Sequence, residues 1–341
     1  MIEYSVIVPA YNAVDVLPRC LAALERQTID RARYEIVVVD DGSTDQTLAV
    51  AEQAGAQVIR AAHGGPASAR NIGARAATGS VLLFTDADCE PAPDWIERMA
   101  RAFDEPQVAG AKGTYRTRQT ALTARFVQQE YEDKYDRLAR QPTIDFIDTY
   151  SAAYRREVFL PSGGFDATFT TSSVEDQELS FRLVAQGHRL VFVPDAIVGH
   201  RHDATPLEYL RRKVGIGYWK ALLLRRHPDK AVRDSHTPQA IKAQIGLLAL
   251  SMVVTVLAVS VPTSVGLLAA CAPLCGVGSW LLLFLTMLPL LIKIARRDPA
   301  VVWIAPMLIA LRAAGLGTGL AIGLVRFTLR PTLTRALDAN L

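Results

Sequence analysis

The sequence predicts an α/β protein, a mostly parallel, doubly wound sheet, followed by an all-α apolar region. Three observations carry this. Short β-branched runs alternate with helix-spaced apolar residues through the first half. Several of these runs empty into a polar, acid-rich loop. Up to about Asp234 charged and apolar residues mix, and beyond Gln239 the chain turns apolar almost continuously.

The elements follow in order. Ser5–Pro9 (SVIVP) is β-branched and apolar, a buried strand that stops at Tyr11-Asn12. Leu17, Cys20, Leu21 and Leu24 stand at helical spacing. Glu35–Val39 (EIVVV) is a second strand, ending in Asp40-Asp41-Gly42-Ser43, and a helix capped by Asp45 follows. Gln57–Arg60 is a third strand. Ala67–Ala77 is an alanine-rich helix stopped by Gly79, and Val81–Phe84 (VLLF) is a fourth strand ending in Thr85-Asp86-Ala87-Asp88. In such sheets ligands bind beyond the carboxyl ends of the strands. Tyr11, Asp40, Asp41, Asp86 and Asp88 should therefore converge on one crevice.

With 341 residues the chain can hold one large domain or two ordinary ones. Its net charge of +3 leaves no nucleic-acid footprint. The four cysteines form neither a disulfide framework nor a zinc-ligand pair of pairs, and read as reduced, mostly buried residues. Tyr4–Val8 is too short, and lacks the basic lead-in, for a signal peptide.

Asp86 and Asp88 lie on one face if extended, and two such carboxylates repel unless a cation sits beside them. Oxygen ligands suit Mg2+ or Mn2+. A plain polar turn is the alternative. Asp41 beside Tyr11 can accept from a base edge while the ring stacks on its face, or can simply close a turn. Arg70 suits a diphosphate, and a surface arginine is the other reading. Glu175-Asp176 opens an amphipathic helix that ends at Gly187, so this pair has a rigid mount.

SVIVPAYNA from Ser5, EIVVVDDGSTDQT from Glu35, GGPASARNIGARAATGSVLLFTDAD from Gly64 and VEDQELSFRL from Val174 together resemble the family 2 glycosyltransferases of the GT-A, Rossmann-like fold. The resemblance covers roughly Ile2 to His200. It implies that Pro9, Ala10, Tyr11 and Asp41 meet the nucleotide base, with Arg70 and Asp86 also on the donor. It implies that Asp86 and Asp88 hold Mn2+ or Mg2+, with His200 a candidate third ligand and His202 next in line. Glu175-Asp176 matches the family's ED pair, Asp176 being the general base. Ser151–Arg156 and Ser162–Asp166 match its acceptor side. The implied partners are a nucleotide-diphosphate sugar, a UDP-sugar ahead of a GDP-sugar, and a membrane lipid or lipid-linked acceptor. An oligomer stays open.

Two acceptors and one non-catalytic role are compatible with this resemblance. Transfer to a hydroxyl of a lipid-linked saccharide or glycolipid needs a base, which Glu175-Asp176 supplies. A polyprenyl phosphate is already ionised and needs none. A nucleotide-binding membrane regulator would lack the metal pair or the base, and neither is missing. No Gly-x-Gly-x-x-Gly follows the first strand, against a dinucleotide dehydrogenase. The Gln-x-x-Arg-Trp motif of processive relatives is also missing.

Ile241–Val261 and Val265–Ile294 are long enough to cross a bilayer, and Val301–Val325 is a third stretch that carries Arg312. The uncharged link Pro262-Thr263-Ser264 should face outward. Arg211, Arg212, Lys213, Arg225, Arg226, Lys230 and Arg233 then meet the cytosolic lipid face, or form a solvated surface. Arg326, Arg330 and Arg335 argue for a cytosolic C-terminus, so the third stretch is read as re-entrant or interfacial. Leu207–Leu224 reads as an amphipathic helix with Tyr209, Tyr218 and Trp219 at headgroup depth. The expected organisation is a catalytic domain over 1–204, interfacial helices over 205–238, transmembrane helices over 239–327 and a tail over 328–341. The protein is expected in the inner (plasma) membrane, multi-pass, with its catalytic half cytoplasmic.

Overall fold

The computed structural model describes residues 1–169, 171, 173–232, 237–260 and 267–329. The described residues form two compact units, one of Met1–Arg118 with Lys134–His202, the other of Gln119–Asp133 with the described residues between 203 and 329. The second unit thus includes Gln119–Asp133, which the sequence reading left inside 1–204.

The first unit runs β1 (Tyr4–Ala10), α1 (Leu17–Glu25), β2 (Tyr34–Asp40), α2 (Thr47–Gln53), β3 (Gln57–Arg60), α3 (Pro66–Ala76), β4 (Val81–Phe84), β5 (Glu90–Pro91), α4 (Trp95–Arg101) and β6 (Val108–Arg116). It continues with the end of α5 (Leu122–Leu138), then β7 (Ala152–Arg155), α6 (Arg156–Phe159), α7 (Glu175–Ala185) and β8 (Arg189–Gly199). The sheet order is β3-β2-β1-β4-β7-β6-β8-β5. β1 pairs in parallel with both β2 and β4, whereas β7 runs antiparallel between β4 and β6. The fold class is the predicted α/β sheet, with a mixed rather than uniform strand direction.

Val6, Ile7 and Val8 of β1 and Val37, Val38 and Val39 of β2 are fully buried, as strands covered on both faces require. Beside them Phe84, Tyr154, Phe159 and Phe165 build an aromatic core under the sheet, with Phe84 meeting Phe165 edge-on at 5.3 Å. Two local expectations shift. The α2 helix begins at Thr47, two residues after Asp45, although the Asp45 carboxylate does accept from the Thr47 N–H at 2.9 Å. Gly79 is not the stop of α3, because Ala77 has already left the helix in an extended conformation. It is small because a Cβ there would press on the Tyr4 backbone at 2.8 Å.

The second unit holds the start of α5, then α8 (Pro206–Arg226), α9 (Gln239–Ser260), α10 (Leu267–Arg297) and α11 (Ala305–Leu329). Three of its helices are long and apolar enough to cross a membrane, over Gln239–Ser260, Leu274–Arg297 and Ala305–Thr328. α11 is unbroken from Ala305 to Leu329. Of the two forms expected of the third stretch, re-entrant or interfacial, a re-entrant turn is therefore not formed within it. The links at Pro262–Ser264, and Arg233, Arg330 and Arg335, lie outside the described residues. Cys275 is exposed, against the expectation of burial, because it sits on the outer face of an apolar helix.

A capping box between Thr205 and Glu208 starts α8. Tyr209, expected at headgroup depth, is instead fully buried, and its hydroxyl donates to Glu130 at 2.9 Å. Along α11, Gly315, Gly319 and Gly323 recur every fourth residue and face α8. A Cβ at Gly319 would overlap the Val214 carbonyl, and one at Gly323 the Tyr218 carbonyl. From the other side, a Cβ at Gly217 would overlap the Leu316 carbonyl. Small residues at this period let two helix backbones touch, the packing favoured where lipid removes the hydrophobic drive. Gly319→Val should therefore force α8 and α11 apart, at a cost of about 1–3 kcal/mol or more. Thermal unfolding in detergent would show the fall in Tm, and an unchanged Tm would mean that the helices are not in contact there.

Arg312, the residue that made the third stretch doubtful, is buried and paired. It pairs with Glu130 and donates to the Gln244 side-chain oxygen at 2.8 Å. Lys213 reaches the same carboxylate at 3.4 Å. Further along the bundle Arg125 grips Asp298 with two donors, at 2.9 and 2.5 Å, and Lys293 meets Asp133 at 2.6 Å.

Candidate active site

The carboxyl ends of β1, β2 and β4 lie side by side, because β1 sits between the other two. They carry Pro9 and Ala10, then Asp40 and Asp41, then Asp86 and Asp88. Tyr11 follows β1, is 47% exposed, and stacks on His63 with ring centroids 4.2 Å apart. Asp41 is buried and already engaged. Its carboxylate accepts from the Gly64 and Gly65 N–H groups at 2.9 Å each and lies 3.0 Å from His63 Nδ1. The structure thus gives Asp41 a loop-shaping task and places His63, which the sequence reading passed over, on the exposed rim beside Tyr11.

Arg70 is also not the surface arginine that was the alternative. It is 1% exposed on α3 and bridges two carboxylates. One guanidinium nitrogen donates to Asp86 Oδ1 at 2.6 Å, the other to Glu175 Oε1 at 3.1 Å. The neighbouring Asn71 holds the Phe165 backbone with two bonds, from Nδ2 to the carbonyl at 2.6 Å and from the Phe165 N–H to Oδ1 at 2.9 Å. Gly164 makes this approach possible. It sits at φ +70°, and a Cβ would strike Asn71 Oδ1. The glycine turn expected within Ser162–Asp166 is thus built against α3.

Glu175 and Asp176 open α7, where the helix dipole favours acids. Asp176 Oδ1 accepts from the Gln177 N–H at 2.7 Å, and its carbonyl accepts from Ser180 at 2.7 Å. Burial pushes the Asp176 carboxyl up to about 7, and Glu175 adds to the rise. The Gln177 N–H, Arg70 and Lys134 oppose it. Lys134 belongs to a buried network unmarked by the sequence. Lys134 donates to both oxygens of Asp148 at 3.1 Å, Tyr150 donates to Asp148 at 2.6 Å, and Lys112 pairs with the same carboxylate.

Asp88 lies 3.5 Å from His200 Nδ1. Burial acts to raise the Asp88 carboxyl, yet the His200 ring beside it leaves it below the ordinary carboxylate range. Tyr115 stacks on the His200 ring at 4.6 Å, and the His200 main-chain N–H donates to the Arg116 carbonyl at 2.9 Å, which anchors the backbone that carries the ring. Cys89 completes this cluster, with all three ligand atoms within 4.8 Å of one another. Asp86 stands outside it, its Oδ1 taken by Arg70. The expected Asp86–Asp88 pair is therefore split between an arginine and a histidine. His202, the next candidate, packs edge-on to Tyr115 and His200.

The sequence profile for Glycosyl transferase family 2 matches residues 5–160, which span β1 to α6. This chain carries a family 2 glycosyltransferase domain. Among curated relatives, the pre-mycofactocin glycosyltransferase of Mycobacterium tuberculosis is 28% identical over 243 residues, covering 67% of this chain and 49% of that relative. This chain therefore matches only about half the length of that relative. Glycosyltransferase AglE of Haloferax volcanii is 29% identical over 238 residues, covering 65% of this chain and 75% of the relative. Among solved structures, the mannosyltransferase PcManGT of Pyrobaculum calidifontis superposes with a TM-score of 0.63 at 21% identity, over 93% of this chain and 86% of that one. That likeness shows a shared glycosyltransferase fold.

Proposed function

We propose that the chain is an inverting, metal-dependent glycosyltransferase. It moves a sugar from a nucleotide-diphosphate sugar to a hydroxyl of a membrane-associated acceptor, a lipid-linked saccharide or glycolipid of cell-surface or exopolysaccharide assembly. The observation that carries this reading is the chain of contacts Asp86–Arg70–Glu175, which sets a base of pKa about 7 next to a buried cation on the donor side. A base poised near neutrality is matched to taking a hydroxyl proton. A phosphate acceptor would leave Asp176 without work.

Asp176 accepts the acceptor hydroxyl's proton as that oxygen attacks the anomeric carbon, and the bond to the diphosphate breaks. Arg70 offsets negative charge on the departing group. The base is bound at Tyr11, with Pro9, Ala10 and Asp41 shaping the floor. The donor set of Asp88 and His200, one oxygen and one nitrogen, fits a divalent ion. Mn2+ or Mg2+ held there would neutralise diphosphate charge. The solved PcManGT structure contains GDP-Man and Mn2+, which supports this donor class and cofactor. The three apolar helices would anchor the protein in the plasma membrane, with the catalytic half on the cytoplasmic side where nucleotide sugars are made.

A thermal-shift panel of nucleoside diphosphates and nucleotide sugars with Mn2+ tests the donor assignment. One base series should raise Tm only with the metal present. Asp88→Ala should weaken Mn2+-dependent binding of that nucleotide at least tenfold, about 1.4 kcal/mol. Unchanged Mn2+-dependent affinity would remove Asp88 from the metal site.

A further inference from the structure

The cluster of Asp88, Cys89 and His200 has more in it than a site for an oxygen-preferring cation needs. Its three ligand atoms form a triangle. Asp88 Oδ1 and His200 Nδ1 are 3.5 Å apart, and Cys89 Sγ lies 3.8 Å from the first and 3.7 Å from the second. Ligands around an octahedral ion with bonds of 2.0–2.1 Å stand about 2.9 Å from their neighbours. Around tetrahedral zinc, with Zn–S near 2.3 Å and Zn–N and Zn–O near 2.0–2.1 Å, the edges are about 3.3–3.6 Å. The triangle here has tetrahedral edges to within about 0.3 Å.

We propose that Asp88, Cys89 and His200 bind a thiophilic, tetrahedral divalent cation of the zinc class, and that this ion competes with the catalytic metal. Thiolate, imidazole and carboxylate are the ligand types zinc takes, and sulfur discriminates against Mg2+ and Mn2+. The site is preformed. Tyr115 stacks on the imidazole, the His200 main-chain N–H is held by the Arg116 carbonyl, and the Cys89 N–H donates to the Asp86 carbonyl at 3.0 Å. On binding, the S–H bond breaks, a sulfur–metal bond forms, and the proton goes to solvent. Entry is from the Asp88 side, whose side chain is 43% exposed, and a water takes the fourth position. Zinc would occupy two of the ligands assigned to the catalytic ion without providing its octahedral geometry, so it inhibits.

The zinc site itself is independent of the reaction proposed above, and only the competition rests on that reading. The test uses the full chain in detergent, in a Cys271→Ser/Cys275→Ser background, with Co2+ as the probe. A thiolate-to-cobalt charge-transfer band in the near ultraviolet is expected, retained by Cys20→Ser and lost in Cys89→Ser. X-ray absorption of the same background loaded with one equivalent of Zn2+ should show one sulfur at about 2.3 Å. A shell of nitrogen and oxygen alone overturns the proposal, whatever the folding of Cys89→Ser. In transfer assays with Mn2+, Zn2+ should inhibit, and Cys89→Ser should need at least tenfold more of it. Equal sensitivity of the two proteins overturns the competition. Absent transfer with Mn2+ alone counts against the proposed activity, while the spectra still decide the zinc site.

Discussion

Replacing Asp176 with asparagine should lower sugar transfer by about 10²–10⁴-fold, the usual worth of a positioned general base. The loss should fall on kcat and leave nucleotide affinity with Mn2+ nearly unchanged, because in the proposed reaction Asp176 meets the acceptor hydroxyl and not the nucleotide. Asparagine keeps the size and can still accept from the Gln177 N–H, so the fold survives. The pH dependence carries the sign. The carboxyl is raised to about 7 and works when deprotonated, so wild-type kcat/KM should climb as pH rises toward 7 and level off above it. Asp176→Asn should lose that acidic limb. A variant within a factor of two of wild type across pH 5.5–8, roughly the window in which such a base titrates, would take Asp176 out of this role.

Glu130→Leu should destabilise the helical unit by about 3–5 kcal/mol, the cost of stripping the partner from a buried cation. Glu130 serves three donors at once, Tyr209, Lys213 and Arg312, and is the carboxylate that neutralises both cations. Leucine would leave two positive charges among apolar side chains such as Leu308 and Ile309. Unfolding followed by tryptophan fluorescence in detergent should show a lower Tm. Glu130→Gln with Arg312→Met should lose less than Glu130→Leu alone, because one cation goes with the anion. Equal losses would mean that the charges are solvated rather than paired.

The strands β1 to β4 were legible in the sequence because each is a short apolar run closed by turn residues, and local chemistry alone sets that pattern. The acid-rich ends were legible for the same reason. The partners of the acids were not. Arg70 meets Glu175 across 105 positions of chain, and nothing in either segment announces the other. Asp41 read as a base-edge acceptor or a turn closer, and what its sequence could not announce is that its carboxylate accepts from two loop N–H groups contributed by the segment before α3. Cys89 was adjacent to the motif and still passed over, since a cysteine beside two aspartates gains meaning only when β8 brings His200 to it. Arg312 misled in the opposite direction. Its cost in an apolar helix was legible, but its partner Glu130 lies in α5, a helix the sequence reading did not draw.

Because a single guanidinium serves both Asp86 and Glu175, the two halves of the crevice cannot change charge independently. If the proposed donor binds there, its phosphate groups beside Asp86 would draw on the same cation that steadies the Glu175 side, and by reciprocity a resulting shift in the basicity of Asp176 would alter the grip on the donor by an equal free energy. In the proposed reaction, occupancy of one half would therefore be felt in the other.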